Sequence, residues 1–301
     1  MTRRPLHRRD FLRFAATAAT AACSSEETPM AHPSTTTEAE PTPTARELPM
    51  PVLFVSHGAP TLALDAVAGA DFARMAQALP RPRAVLVVSA HWLHAPATIG
   101  TRRARPLVYD FGGFPDALRE VEYAAPAAAA LADELGRRLP ALARDDERGW
   151  DHGVWVPLVH MYPHAHVPVL QLSMPHAWQP RQMFELGRQL APLRDEEVLV
   201  LASGGAVHNL RRLDWDGGTT PPQWATTFEA WLRDRLSRGA VDDLVAFRHE
   251  APDLQLAHPT DDHFVPLLVA LGAASARPSP TTFPITGWEY GSLSRLAVRW
   301  G

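Results

Sequence analysis

The sequence predicts a single α/β domain, a mainly parallel central sheet flanked by helices, with its functional site at the carboxyl ends of the strands. Three observations carry this expectation. Short, continuous apolar runs rich in β-branched residues, VLFVS from Val52, AVLVV from Ala84 and VLVLA from Val198, read as strands buried on both faces. Stretches of helix-forming composition separate them, the alternation that a parallel sheet requires. Each run is also followed by a histidine: His57 directly after Ser56, His91 after Ser89-Ala90, and His208 six residues beyond Ala202. Ligands of open α/β sheets bind outside the carboxyl ends of the strands. One histidine beside a core strand is usually just hydrogen-bonded in place; three point to a shared site.

Taken in order, the folded part begins near Pro51 with a strand at 51–56, then a helix at 65–79. The run AVLVVSAHW gives a strand at 84–89, with His91 just past its end. In APAAAALADELGRRL strong helix formers, with acids early and arginines late as the helix dipole prefers, give a helix at 126–139. A strand at 167–173, a helix at 180–191, a strand at 197–202 and a helix at 224–237 follow. A last helix, 262–271, starts at Asp262, where acids are favoured. No internal repeat or linker-like stretch follows residue 50, so 51–301 is read as one catalytic domain.

The first residues read as targeting and tether. Residues 1–23 resemble a twin-arginine export signal: Arg8-Arg9, then Phe11-Leu12, then an Ala-rich run ending at Cys23. Cys23 follows Thr20-Ala21-Ala22 and is a candidate lipoprotein cysteine, although a larger aliphatic residue is usual three positions before it. Residues 24–49, rich in Ser, Thr, Glu, Pro and Ala, read as a disordered tether. The expected location is the periplasm or, through Cys23, a membrane surface. Translation from Met30 or Met50 would make the protein cytoplasmic.

Composition excludes several classes. No apolar stretch reaches the roughly 18 residues of a spanning helix. Residues 1–22 hold five arginines and one aspartate, leaving 24 basic against 32 acidic side chains and a charge of −8. That balance argues against nucleic acid as a partner. All 29 basic side chains are arginine. Without lysine there is no Schiff base, no pyridoxal anchor and no phosphate-loop lysine. The single cysteine allows no intramolecular disulfide and no thiolate metal cage.

The 14 histidines are the surplus. His57, His91, His208 and His263 are the leading candidates, because neutral imidazoles gathered at one mouth of a sheet suit a divalent transition metal. Their wide separation makes spacing alone a weak signal, and each also fits as a cap on a strand or helix end. Asp261 or Asp262 would complete a site of two histidines and one carboxylate, or would simply cap the helix. His152, in GWDHGVWVPL, sits among Trp150, Asp151 and Trp155, a wall for an aromatic substrate. His258 opens HPTDDH and is a candidate to support a ligand. His160, His164, His166 and His176 read as a solvated loop flanking a strand. A nucleophilic Ser56 or Ser203 is the competing idea, but neither lies in Gly-x-Ser-x-Gly. ASGGAVHN reads more simply as a tight turn that orients His208. No glycine fingerprint for dinucleotides is present.

The motifs SHGAPTLALD, VVSAHW, YDFGGFP, WDHGVWVPL, VHNLRRLDW, HPTDDHFVPLL and GSLS occur in that order from residue 56 to 294. Together they resemble the 4,5-DOPA extradiol dioxygenase family, within the class III ring-cleaving dioxygenases. The resemblance implies an α/β fold around one divalent metal, Zn(II) or Fe(II), on His57, His91 and His263. It puts His208 at or beside the metal, as a ligand and as the acid–base group, and His152 in the substrate pocket, where it too is placed to take a phenolic proton. The wider class completes its iron site with a carboxylate; a histidine stands there in this branch, a donor set that suits zinc as well as iron. The implied substrates are a small aromatic diol such as DOPA and O2, the ring opening beside the diol. Two other readings use the same histidines: a zinc-dependent hydrolase acting through metal-bound water, and a non-catalytic metal-binding protein.

Overall fold

The computed structural model describes residues 48–100 and 102–301. The signal at 1–23, Cys23 and the tether up to residue 47 lie outside the described residues. The strands in chain order are β1 Val52–Ser56, β2 Ala84–Leu93, β3 Thr98–Ile99, β4 Ala143–Arg144, β5 Val169–Met174, β6 Val198–Gly204, β7 Thr281–Ile285, β8 Trp288–Glu289, β9 Leu293–Ser294 and β10 Ala297–Trp300. The helices are α1 Ala66–Gln77, α2 Ala129–Arg138, α3 His152–Met161, α4 Pro180–Leu190, α5 Gln223–Arg238, the short α6 Val241–Val245, α7 Phe247–Glu250 and α8 Leu254–Ala257, and α9 Val265–Ser275.

Eight strands form one sheet in the order β4-β3-β5-β2-β6-β1-β10-β7. Its four central members, β5, β2, β6 and β1, are all parallel. These are the apolar runs of the sequence, and their continuity has a direct cause: both faces are covered. Val52, Phe54, Leu86, Val88, Val200 and Ala202 point into a core shared with α2, α4, α5 and α9. Their neighbours Leu53, Val55, Val85, Val87, Leu199 and Leu201 point into a second core with α1 and α3. Each Val, Leu or Phe so buried contributes about 1.5–3 kcal/mol. The flanks are antiparallel: β3 against β5, and β10 and β7 beyond β1. These short edge strands left no run long enough to read from sequence.

Three differences from the sequence reading bear on the site. First, β2 does not stop at Ser89 but runs through His91 to Leu93. Its pairing with β6 ends at Ser89–Ser203, and its register against β5 shifts between Val88 and Leu93. His91 therefore lies on an irregular strand end with one side free. Second, residues 152–161 form α3, which the sequence did not announce. This helix is apolar nearly all round and carries Pro157 in its interior, so neither an amphipathic period nor an unbroken helix signal exists. His160 belongs to its last turn, with Nε2 2.7 Å from the Leu62 carbonyl; His164, His166 and His176 are exposed, as a solvated loop requires. Third, α9 starts at Val265, because Asp261 to Phe264 form a turn in which the Asp261 carbonyl accepts the Phe264 and Val265 N–H groups.

Helix α9 is buried almost completely, pressed between the sheet and α4. The two helices meet at Gly187 and Gly272, where a Cβ on Gly272 would run into the Phe184 carbonyl and lie 3.0 Å from Gly187 Cα. Gly272→Ala is therefore expected to cost about 1–3 kcal/mol, lowering the melting temperature by about 3–10 °C. A melting temperature equal to the parent's would show that the crossing is looser than described.

Candidate metal centre

The site sits at the carboxyl edge of the parallel strands. His57 follows β1, His91 lies two residues before the end of β2, and His208 follows the turn after β6. His263 reaches the same place from the turn before α9. That turn and the end of β6 are in close contact: Gly205 N–H donates to the His263 carbonyl at 2.9 Å, and His57 N–H donates to the Gly204 carbonyl at 3.0 Å. A Cβ on Gly204 would collide with the His263 carbonyl, so glycine is required there by close approach.

His57, His91 and His263 each offer a nitrogen within 4.8 Å of the others. Their outer nitrogens are committed elsewhere. His57 Nδ1 lies 3.0 Å from Ser203 Oγ, whose own proton goes to the Gly153 carbonyl at 2.5 Å. The serine hydroxyl can therefore only accept from the ring, so His57 carries its proton on Nδ1. His263 Nδ1 donates to Asp262 Oδ2 at 2.5 Å, and His91 Nδ1 faces Asp110 Oδ2 at 3.4 Å. All three rings thus turn a bare Nε2 inward. With its proton on the Nδ1 that faces Asp110, His91 sets Nε2 3.1 Å from His57 Nε2, lone pair against lone pair, and His263 Nε2 is buried without a partner among the described residues. A divalent cation relieves both conditions, and three imidazoles suit Zn(II) or Fe(II). The donor set present fits the metal.

The acceptor for Ser203 has its own origin. Pro157 has no N–H, so the Gly153 carbonyl four residues earlier lacks its helical partner and is open to the serine hydroxyl. Ser203 is fully buried and committed, as is Ser56, which donates to the Leu296 carbonyl at 2.9 Å. Neither is an exposed nucleophile.

Among the described residues the three-histidine group does not include His208. Its ring lies flat on His263, centroids 3.4 Å apart and planes within 4°, and has no hydrogen bond among the described residues. Asp261 and Asp262 are also outside the group: Asp261 pairs with Arg248 at 2.6 Å and Asp262 holds the outer face of His263. The carboxylate that does stand beside the cluster is Asp110. It accepts from His152 twice, from Nδ1 at 2.8 Å and from the backbone at 3.1 Å, while its second oxygen faces His91. His152 is thereby fixed with Nε2 open, its ring 3.9 Å from that of His91. Sequence reasoning missed Asp110, although YDFGGFP was singled out; a polar residue immediately before the aromatic loop was the available signal. Behind the site, buried Asp151 accepts from Ser89 at 2.6 Å and from Arg148 at 3.2 Å, and Arg148 also holds the His91 carbonyl.

The histidines line one side of a cavity of about 330 Å³. Phe111, Phe114 and Trp215 line it too, with Leu210, Leu213 and Leu293. Trp150 and Trp155 do not. Both are buried in the core beneath, because adjacent residues of a helix and its approach point in different directions. Trp155 meets Tyr109 edge-on and Phe111 at a tilt, ring centroids 5.8 and 6.2 Å away. Trp215, half exposed, packs on Phe114 and Tyr290 at the mouth.

Electrostatics keep the donors in the form a metal needs. Burial, reinforced by the neighbouring imidazoles, holds His57 well below its ordinary value and lowers His91 and His208 to about 2. Burial works to raise Asp110, but its hydrogen bond from His152 prevails and holds it at about 2. Asp262, hydrogen-bonded by His263, is likewise held low against the effect of burial. His57, His91 and His208 are therefore neutral, and Asp110 and Asp262 ionised, at neutral pH.

Comparison with known proteins places the chain in a family. Residues 52–296 match the family model described as the catalytic LigB subunit of aromatic ring-opening dioxygenase. A 4,5-DOPA dioxygenase extradiol of Escherichia coli (strain K12) is 41% identical over 264 residues, covering 84% of this chain and 95% of the relative. A protein of the same name from Beta vulgaris is 36% identical over 256 residues, 80% of this chain and 92% of the relative. The crystal structure of an uncharacterized protein of Escherichia coli K12 matches at a TM-score of 0.72 and 38% identity, over 84% of this chain and 100% of that one.

The depressed imidazoles imply acid lability. The unfolded chain takes up protons on these histidines as pH falls through about 6.5, while the folded chain keeps them neutral to much lower pH. Stability is complete above 6.5 and declines below it; Asp110 and Asp262 add a second loss below their ordinary range near 3.8. Metal-free protein should melt at a steadily lower temperature from pH 7 to pH 5 at fixed ionic strength. A melting temperature flat over that interval contradicts the buried neutral state.

Proposed function

The chain belongs to the LigB family of aromatic ring-opening dioxygenases, and from that premise we propose that this extradiol enzyme opens a catechol such as DOPA beside its diol with O2, using a metal held by His57, His91 and His263. The observation that carries the reading is the convergence of three bare Nε2 atoms on one wall of a cavity whose remaining walls are aromatic and aliphatic. A bound divalent ion supplies Lewis acidity toward the diol oxygens and, as Fe(II), the electron chemistry that O2 requires.

The chain's own groups divide the remaining work. Phe111, Phe114 and Trp215 receive the ring and keep water from it. His152 acts as base toward a phenolic hydroxyl: Asp110 holds its Nδ1–H, which leaves Nε2 to accept a proton, the arrangement of a base oriented by a carboxylate. His208 is the second proton carrier. Its ring is at the cavity, is bound to no acceptor, and lies against a metal-holding imidazole. It takes the second phenolic proton as the diol binds and returns it as the ring opens to a semialdehyde. Residues 1–23 serve in the same reading as a twin-arginine signal, with Cys23 as a lipid anchor; the full-length protein should fractionate with periplasm or membrane, and recovery from the cytoplasm alone with an intact N-terminus counts against it.

Protein loaded with Fe(II) without oxygen, given a catechol and then exposed to air, should take up O2 and release a ring-opened semialdehyde. Stoichiometrically loaded protein that consumes no O2 overturns the reading, and turnover of an ester by the zinc form without O2 would favour a hydrolase. His57→Ala, His91→Ala and His263→Ala should each lower metal affinity by at least about 100-fold. His152→Ala and His208→Ala should keep the metal and lose about 10²–10⁴ in kcat. Loss of metal together with activity in His208→Ala would instead make His208 a required ligand.

A further inference from the structure

His258 is a buried imidazole that this chemistry leaves unused. It is 1% exposed and flanked by Phe228 and Phe264, ring centroids at 5.2 and 5.4 Å. Its Nε2 lies 2.9 Å from the Ala206 carbonyl, so Nε2–H donates and Nδ1 is bare. Nδ1 is buried without a partner among the described residues. A buried acceptor left unsatisfied is destabilising, and burial lowers the ring's pKa to about 4. An apolar side chain would fill the space without either penalty. What the imidazole adds is the single bond to Ala206.

Ala206 lies in the turn that carries His208. Upstream, the turn is held by Ser56 Oγ, which accepts Ala206 N–H at 3.0 Å, and by the contacts of Gly204 and Gly205 with His57 and His263. Downstream, three consecutive residues grip it. The Leu256 carbonyl accepts from Asn209 Nδ2 at 2.7 Å, the Ala257 carbonyl accepts His208 N–H at 3.0 Å, and His258 donates to Ala206. The segment before His263 and the segment before His208 are thus stitched together, and the stitching brings their two rings face to face.

We propose that His258 is a positioning residue for His208: its bond to the Ala206 carbonyl sets the turn on which the His208 ring is presented to the cavity. The proposal rests on His208 as a proton carrier and adds the group that holds it in place. His258→Phe should fold, bind metal and hold KM near the parent's, while kcat falls about 10–100-fold, as small misplacements of a catalytic group do. His258→Gln, whose amide can donate to the same carbonyl, should recover most of that loss. In a His208→Ala background His258→Phe should cause no further fall, because the two act as one unit. The His208 amide should exchange its hydrogen faster in His258→Phe than in the parent or in His258→Gln, and His258→Leu repeats the comparison if the phenyl ring overfills the site. Parental kcat and exchange in both apolar variants, a glutamine variant no better than phenylalanine, or an additive loss in the double variant overturns the proposal. If the iron-loaded parent cleaves no catechol, the functional reading fails, and the exchange comparison still decides the role of His258.

Discussion

An imidazole can offer a metal one lone pair only when its other nitrogen holds the proton, and the whole site is arranged around that constraint. Three acceptors from three parts of the chain supply it: Ser203 from β6, Asp110 from the aromatic loop, and Asp262 from the turn before α9. Each faces the Nδ1 of its ring and so leaves Nε2 for the space that the three rings share. The same carboxylate that faces His91 also orients His152, so in the proposed reading metal holding and proton removal share Asp110 and cannot be tuned separately.

The fold makes this convergence possible by ending its parallel strands at one level. β6 is the middle of the arrangement. Ser203 is its penultimate residue, Gly204 receives His57, and Gly205 binds the backbone of His263. The turn beyond it carries His208. Helix α9, wedged apolar on all sides between α4 and the sheet, fixes the start of its own turn and hence His263. The three histidines that could hold a metal come from positions far apart in sequence, yet each lies on or within a few residues of a rigid element.

That is also why so much of the site could be read before the structure was known. A strand buried on both faces must be a continuous apolar run, so β1, β2, β5 and β6 declared themselves, and the histidines at their ends followed. What sequence conveys poorly is direction. Trp150 and Trp155 stand beside His152 in the chain but turn into the core, while Trp215, more than sixty residues from His152, lines the cavity. Asp110 meets His152 across 42 residues from a loop with no periodicity. Helix α3 was hidden by the proline that it contains, β8 to β10 were too short to stand out, and β7, TTFPI, is no longer than β1 but mixes polar residues with a proline.

That proline gives α3 a meaning that stability measurements alone would misjudge. Inside a helix, proline is ordinarily the first residue an engineer removes. Here its missing N–H frees the Gly153 carbonyl, Ser203 spends its proton there, and His57 is left with one tautomer. Restoring an amide at position 157 would mend the helix and set two donors competing for one carbonyl. If the serine lost, its hydroxyl could turn its proton toward His57, whose own proton would then divide between Nδ1 and Nε2. A thermostabilised variant of this protein obtained by repairing α3 would thus buy robustness with the definition of its metal-facing nitrogen, a local instance of stability and activity pulling on the same atom.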